Sequence, residues 1–290
     1  MKLRRGLLPL TLLLLTLTSC HKSKNDFSGS GTSSFSLQQE SEESYPLSDG
    51  AQVGIYLLDN KSVLQDNLWA VHDGKGGLHA KLDVNYNSLQ NIEAYSIAPY
   101  NLDWTYSADA EYDFSVYANQ TLQADYIASD LMLGVPSAGY PLKSSNIEFN
   151  FSHLYSRITI EILDTENSGL GESTVTLLGL YNSAKVNPFA GEVKSESLDG
   201  KGDITPYEYV HTIRRIYAYA VVPPQEIAAG EALLKVVYKD KEMYCGLPQT
   251  QTLGCGETLA LTLNMTSSGI EVVSSSMEDW VAGEDVEIEI

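Results

Sequence analysis

Basic residues, cysteine and recognisable catalytic signatures are all scarce in this sequence. Lys and Arg together number 18 against 38 Asp and Glu, a formal net charge of −20, and no arginine lies between Arg5 and Arg157. A field of that sign repels phosphate, which argues against nucleic acid as a partner and against lying flat on an anionic membrane. There is no Gly-x-Ser-x-Gly elbow, phosphate loop, zinc-helix motif or calcium loop. His72, His79, His153 and His211 are dispersed, each within strand-like sequence and none beside a nucleophile, so they read as structural histidines. Carboxylates such as Asp109, Glu111 and Asp113 are too abundant to single out a catalytic pair. No enzymatic activity, cofactor or metal is expected. Beyond the first nineteen residues no apolar run reaches the ~20 residues needed to span a bilayer as a helix.

Those nineteen residues are different. Lys2, Arg4 and Arg5 form a basic start, and Leu7 to Leu17 is an almost unbroken apolar run, the pattern of an export signal. Leu17-Thr18-Ser19-Cys20 resembles the lipobox of bacterial lipoproteins. That likeness implies cleavage before Cys20, lipid on its thiol, and an outer-membrane anchor. Removal of the leader takes away three bases and leaves 15 against 38 acids, a net charge of −23. Residues 20–48, rich in Ser, Gly, Lys, Gln and Glu, read as a flexible linker that holds the folded part clear of the membrane or exposes a site to a processing protease.

From Gln52 onward the dominant period is two. Ile147-Glu148-Phe149-Asn150-Phe151, Ile158-Thr159-Ile160-Glu161-Ile162 and Leu259-Ala260-Leu261-Thr262-Leu263 are half-buried strands. Further strands are expected at Val53–Leu58, Ala94–Ala98, Thr174–Leu180, Ile216–Val222, Leu233–Tyr238, Ile270–Val273 and Val286–Ile290. Helix is scarce, with a turn or two at Gln120–Ser129, and Asp164–Glu172 reads as a loop. Short strands separated by turn residues predict an all-β chain of two sandwiches, residues 49–145 and 146–290.

Cys245 and Cys255 could clip a hairpin whose strands, Glu242–Cys245 and Cys255–Leu263, flank the loop 246–254; two buried thiols are the alternative. At the carboxy terminus, Val286, Ile288 and Ile290 alternate with Glu287 and Glu289. This segment reads as a strand closing its own sheet, with donation to a neighbouring molecule as the other possibility. The 18 tyrosines suit strands and their edges, although a flat face built from Trp69, Trp104 or Tyr106 would suit a glycan.

Several segments, taken in order, resemble the fimbrillin family of Bacteroidetes. They are Val53-Gly54-Ile55-Tyr56, the stretch from Ala94 to Tyr100, Asp130-Leu131-Met132, the run Phe149 to Ile160 with its Phe-Ser-His-Leu-Tyr-Ser-Arg core, Val222-Pro223-Pro224-Gln225, and Met277 to Gly283. The resemblance implies two tandem transthyretin-like β-sandwich domains and a structural or adhesive role in fimbriae, with other fimbrial subunits as partners. It also implies an assembly route. An arginine-directed protease removes an N-terminal strand, and a donor strand from the next subunit fills the opened groove by β-augmentation. This sequence departs from that pattern in having no arginine where the cut would fall, which points to an anchor, tip or non-polymerising role. Cys20 is also followed by His21 to Asp26 without an acidic cluster, the expected mark of surface export. A surface glycan-binding lipoprotein of a nutrient-uptake system is the alternative function.

Overall fold

The computed structural model describes residues 32–39, 47–80, 82–85, 88–143, 145–195 and 200–280. In chain order the first half comprises β1 (Thr32–Gln39), β2 (Gln52–Asp59), β3 (Ser62–His72), β4 (Leu78–His79), β5 (Leu82–Asn85), β6 (Ile92–Ala98), β7 (Tyr112–Ser115), the short helix α1 (Gln123–Ala128), β8 (Met132–Pro136) and β9 (Asn146–His153). The second half comprises β10 (Ser156–Asp164), β11 (Ser173–Tyr181), β12 (Ser183–Asn187), β13 (Glu192–Lys194), β14 (Lys201–Ile204), β15 (Tyr207–His211), β16 (Arg215–Val222), β17 (Glu226–Ile227), β18 (Leu234–Tyr238), β19 (Lys241–Cys245), β20 (Gln251–Thr252), β21 (Glu257–Met265) and β22 (Ile270–Asp279). The expected all-β class is observed.

The first sheet runs β4-β3-β2-β6-β8-β9-β1-β5, and the second half builds a five-stranded sheet β15-β16-β10-β21-β22 and a four-stranded sheet β14-β11-β18-β19. Period-two sequence forms strands here because one face is buried. Ile147, Phe149 and Phe151 of β9 point into one core, while the intervening Asn146, Glu148, Asn150 and Ser152 are exposed. β2 is buried along nearly its whole length because it is central and covered on both sides. Val53, Ile55 and Leu57 enter the smaller core, and Tyr56 enters the larger one. Gly54 is required beside them: a Cβ there would stand 2.4 Å from Oδ1 of Asn67, the atom that accepts the hydrogen bond of the Tyr56 hydroxyl at 2.9 Å.

Two glutamines stand in for backbone where ladders end. The buried Gln120 amide accepts from Val221 N at 2.9 Å and donates to Val221 O at 2.8 Å. Gln225, last residue of the Pro223-Pro224 segment that cannot donate from its prolines, does the same for Tyr181 at 2.8 and 3.1 Å. In the expected loop after β10, the Asp164 carboxylate accepts the amides of Ser168, Gly169 and Leu170. Burial alone would raise its pKa; these amides outweigh that and lower it.

Two expectations are corrected. The linker reading of residues 20–48 does not hold throughout, because β1 lies inside it, antiparallel to β5 and parallel to β9 from Ser36↔Asn146 to Gln39↔Phe149. The boundary at residue 145 also falls in the wrong place. β9 follows it in sequence yet pairs with β8 in the first sheet, and β7 from before it pairs with β12 from after it. The loop of the β12–β13 hairpin carries the same connection into the core. Asn187 shapes that loop, its Oδ1 accepting from Phe189 N and Ala190 N at 3.2 Å and its Nδ2 donating to Ala108 O at 2.9 Å. Phe189 thereby enters a nest of tyrosines from the first half, with ring centroids 4.8 Å from Tyr56, 4.9 Å from Tyr106 and 5.8 Å from Tyr95, all edge-on. One buried cluster runs from Tyr56, Ile97 and Leu133 through Phe114, Tyr155 and Phe189 to Ile160, Val236 and Leu261.

Phe189→Ala removes the ring from this junction and should cost about 3–5 kcal/mol. Urea denaturation followed by fluorescence measures it; a loss below about 1 kcal/mol would show that the ring is not what joins the halves.

Candidate functional site

The Asp130-Leu131-Met132 and Phe151–Arg157 segments are twenty residues apart in sequence, and the structure brings their polar members together with the distant Trp280. The β8–β9 ladder opposes Met132 to His153, so Asp130, just before β8, meets the end of β9. His153 Nδ1 lies 2.9 Å from both carboxylate oxygens of Asp130. An ionised carboxylate only accepts, so Nδ1 is the donor. Trp280 stacks on the His153 ring at 3.8 Å and 4°. The Arg157 guanidinium sits 5.2 Å from the Trp280 ring and 5.8 Å from the Tyr219 ring, and Arg157 Nε donates to Thr258 Oγ1 at 3.2 Å. All four of Asp130, His153, Arg157 and Trp280 are buried. Backbone bonds draw the same strands together: Leu154 N to Leu131 O at 2.7 Å, Gly256 N to Tyr155 O at 3.0 Å, and Trp280 N to Gly256 O at 2.7 Å.

The Asp130–His153 pair has the geometry of the orienting half of a catalytic triad, and it lacks the other half. Nε2 of His153 is buried with no hydrogen-bond partner among the described residues. The nearby Ser156 hydroxyl donates instead to Gly254 O at 2.7 Å. The arrangement is a clamp on four chain segments, built from a charged hydrogen bond, a ring stack and a cation over a ring.

The remaining candidates are scattered. His79 pairs with Asp73 at 3.0 Å, His211 with Glu208 at 2.7 Å, and His72 Nδ1 is 3.1 Å from Ser48 O. Among the described residues no three His, Cys, Asp or Glu side chains are grouped as metal ligands. Asp113 and Glu111 pair with Lys185 and Lys194 at 2.7 and 3.0 Å, and Glu111, Lys185 and Lys194 line an open groove of about 300 Å³ together with Ala108, Ala110 and Ala190.

Two possibilities left open by the sequence can be placed here. The hairpin joining Cys245 to Cys255 does not exist: β19 pairs backwards with β18 in the four-stranded sheet, whereas Cys255 precedes β21 in the five-stranded one. Burial pushes the Cys245 thiol up to about 11. The aromatic face of Trp69, Trp104 and Tyr106 is also absent, because Trp104 is buried against Tyr112 at 4.8 Å, Tyr106 belongs to the Phe189 nest, and only Trp69 is exposed. Cys20, Val286, Ile288 and Ile290 lie outside the described residues.

The fimbrillin-like family matches the chain over residues 45–280. Among solved structures, a candidate cell-adhesion protein from Bacteroides uniformis is 19% identical, covers 86% of this chain and 98% of its own, and superposes with a TM-score of 0.66. A second, from Bacteroides ovatus, is 13% identical over 90% of this chain and 99% of its own, with a TM-score of 0.62. At these identities the likeness is one of fold. No curated protein matches the chain.

His153→Ala should cost about 3 kcal/mol, because it strands the Asp130 carboxylate in the interior. Adding Asp130→Asn should recover part of that loss, since the neutral amide is cheaper to bury unpaired. Equal stability of the single and double variants in urea would contradict the clamp.

Proposed function

Because the chain belongs to the fimbrillin-like family, we propose that it is a cell-surface adhesion protein serving as the anchor subunit of a fimbria. In this reading lipid on Cys20 holds it to the outer membrane, and other fimbrial subunits join it head to tail.

The observation that carries the reading is the placement of β1. This strand comes from far ahead in the chain and pairs with β9 through a parallel ladder. Behind that ladder lie the core residues Ile147, Phe149 and Phe151. Taking such a strand away would leave main-chain donors and acceptors unpaired beside an apolar face, which is the acceptor that β-augmentation needs. Polymerising relatives are implied to lose this strand to an arginine-directed protease. Here no arginine lies between Arg5 and Arg157, so β1 stays in place and the acceptor stays filled. A subunit that accepts no donor ends a filament, and one that keeps its lipid ends it at the membrane.

Such a subunit must still contribute a strand to its neighbour. Val286, Ile288 and Ile290 alternate as a donor would, and β22 already forms the edge of the five-stranded sheet through Asp279. On this reading the segment donates to a neighbour rather than adding to that edge.

Deleting residues 286–290 should leave the Tm of the isolated protein unchanged and abolish its recovery with higher-order fimbrial ladders. A lower Tm with ladders retained would return the segment to the chain's own fold. Cys20→Ala should move the protein from the detergent phase to the aqueous phase, and unchanged partitioning would end the anchor reading.

A further inference from the structure

β22 is held more loosely than its length suggests. It is the outermost strand of the five-stranded sheet, paired along one edge only, with β21. None of its ten side chains is buried; Ile270, Val272 and Met277 pack partly buried against the core, and most of the others are exposed. The ladder is also interrupted, where the register passes from Thr262↔Ser274 to Leu263↔Val272 and leaves Val273 over, 62% exposed. An edge strand with so little buried opens at a lower cost than the whole fold, and it frays from a free end.

The carboxy-terminal end of β22 has the opposite character. Past the last rung, Glu257↔Asp279, the ladder is continued by Trp280 N to Gly256 O at 2.7 Å and by Gly256 N to Tyr155 O at 3.0 Å. Gly256 is left-handed at φ +66°, and a Cβ there would stand 3.3 Å from the His153 carbonyl oxygen. Trp280, the first residue after the strand, is buried, with its ring flat on His153 at 3.8 Å and 4° and 5.2 Å from the Arg157 guanidinium. Both partners are tied down in turn, His153 by Asp130 at 2.9 Å and Arg157 by Thr258 at 3.2 Å. Thr258 itself lies between Arg157 of β10 and Glu278 of β22. The strand is exposed along its length and locked at the end where fraying would begin.

We infer that Trp280 is a latch: its ring, seated on His153 beside Arg157, keeps β22 in the sheet and fixes the root of the residues that follow. Where the anchor reading holds, on which this part rests, the latch also sets how far the donated strand reaches. With the latch closed, residues 281–285 span roughly 18 Å at full extension. A strand formed by 286–290 then reaches only a neighbour docked against this end of the sheet. With the latch open, the ten residues of β22 add roughly 35 Å, and the joint loses its defined spacing. Tension on a donated strand meets the latch before any rung of the β21–β22 ladder.

Hydrogen exchange of the full chain at low urea concentrations, read by mass spectrometry on peptides from β10 and β22, tests the latch. In the unmodified protein β22 should exchange faster than β10 and with a weaker dependence on urea, because its opening exposes little surface. Trp280→Ala should accelerate β22 exchange roughly tenfold or more, the effect of losing a ring stack and a cation contact. Trp280→Phe, which restores a flat ring, should recover most of that protection. If the alanine variant does not fold by circular dichroism, Trp280→Leu, apolar but not planar, carries the same comparison. A β22 that shares the rate and urea dependence of β10 has no opening of its own, and that result would overturn the proposal. So would β22 exchange left unchanged by loss of the ring. Deleting residues 286–290 should leave β22 exchange unaltered, so donation can fail while the latch holds, and the latch can fail while donation holds.

Discussion

Phe189 and the tyrosines around it set the conditions for the rest of the structure. A sheet must bury one face, and the first sheet of this chain buries both. Val53, Ile55 and Leu57 of β2 fill the smaller core, while Tyr56 reaches across to meet Phe189 from the second half. The β7–β12 ladder and the Tyr155 hydroxyl, which donates to Phe114 O at 2.6 Å, reinforce the same junction. The two halves thus share one core cluster, so movement of one against the other would have to break aromatic packing. Strand exchange can happen only where this core does not hold the chain, at the sheet edges. Parallel β1 lies towards such an edge.

The buried polar clamp has a related effect at the other end. Asp130, His153, Arg157 and Trp280 come from the approaches to β8, β9, β10 and the end of β22, and their mutual contacts fix the place where the described chain leaves the sheet. A charged pair in such a place contributes more to specifying one arrangement than to net stability. Ring stacking on Trp280 makes the end of β22 part of the fold, and whatever follows it starts from a fixed point.

Much of this was legible in the sequence, for identifiable reasons. Strands with one buried face announce themselves by alternation, as in Ile147 to Phe151, Ile158 to Ile162 and Leu259 to Leu263, and these became the inner strands of the sheets. The motif order also carried the fold, since Asp130, His153, Arg157 and Trp280 make the clamp. Other elements were hidden. β1 has the composition of a linker and is a strand through its pairing with β5 and β9, a tertiary effect that local propensity does not contain. β3 interrupts its apolar residues with Gln65, Asp66 and Asn67, and its pairing with β2 is irregular. The spacing of Cys245 and Cys255 suggested a hairpin because spacing says nothing of which neighbour a strand chooses. Which aromatics would pack was not legible: Trp104 packs on Tyr112 and Phe114, and Tyr106 packs on Phe189, a residue 83 positions further along the chain.

Function follows from which strands stay. On the proposed reading, a fimbrillin-like chain that lost its leading strand would become a link in a filament, and one that kept it would become an end. The absence of arginine between Arg5 and β2 and the cysteine at the leader's end bear on the same question from two sides, proteolysis and lipidation. Mass spectrometry of the protein recovered from the outer membrane of producing cells tests the claim most directly. The account predicts a lipidated Cys20 as the first residue, with the chain intact through β1. An unlipidated form that begins after Gln39, with β1 removed, would contradict it.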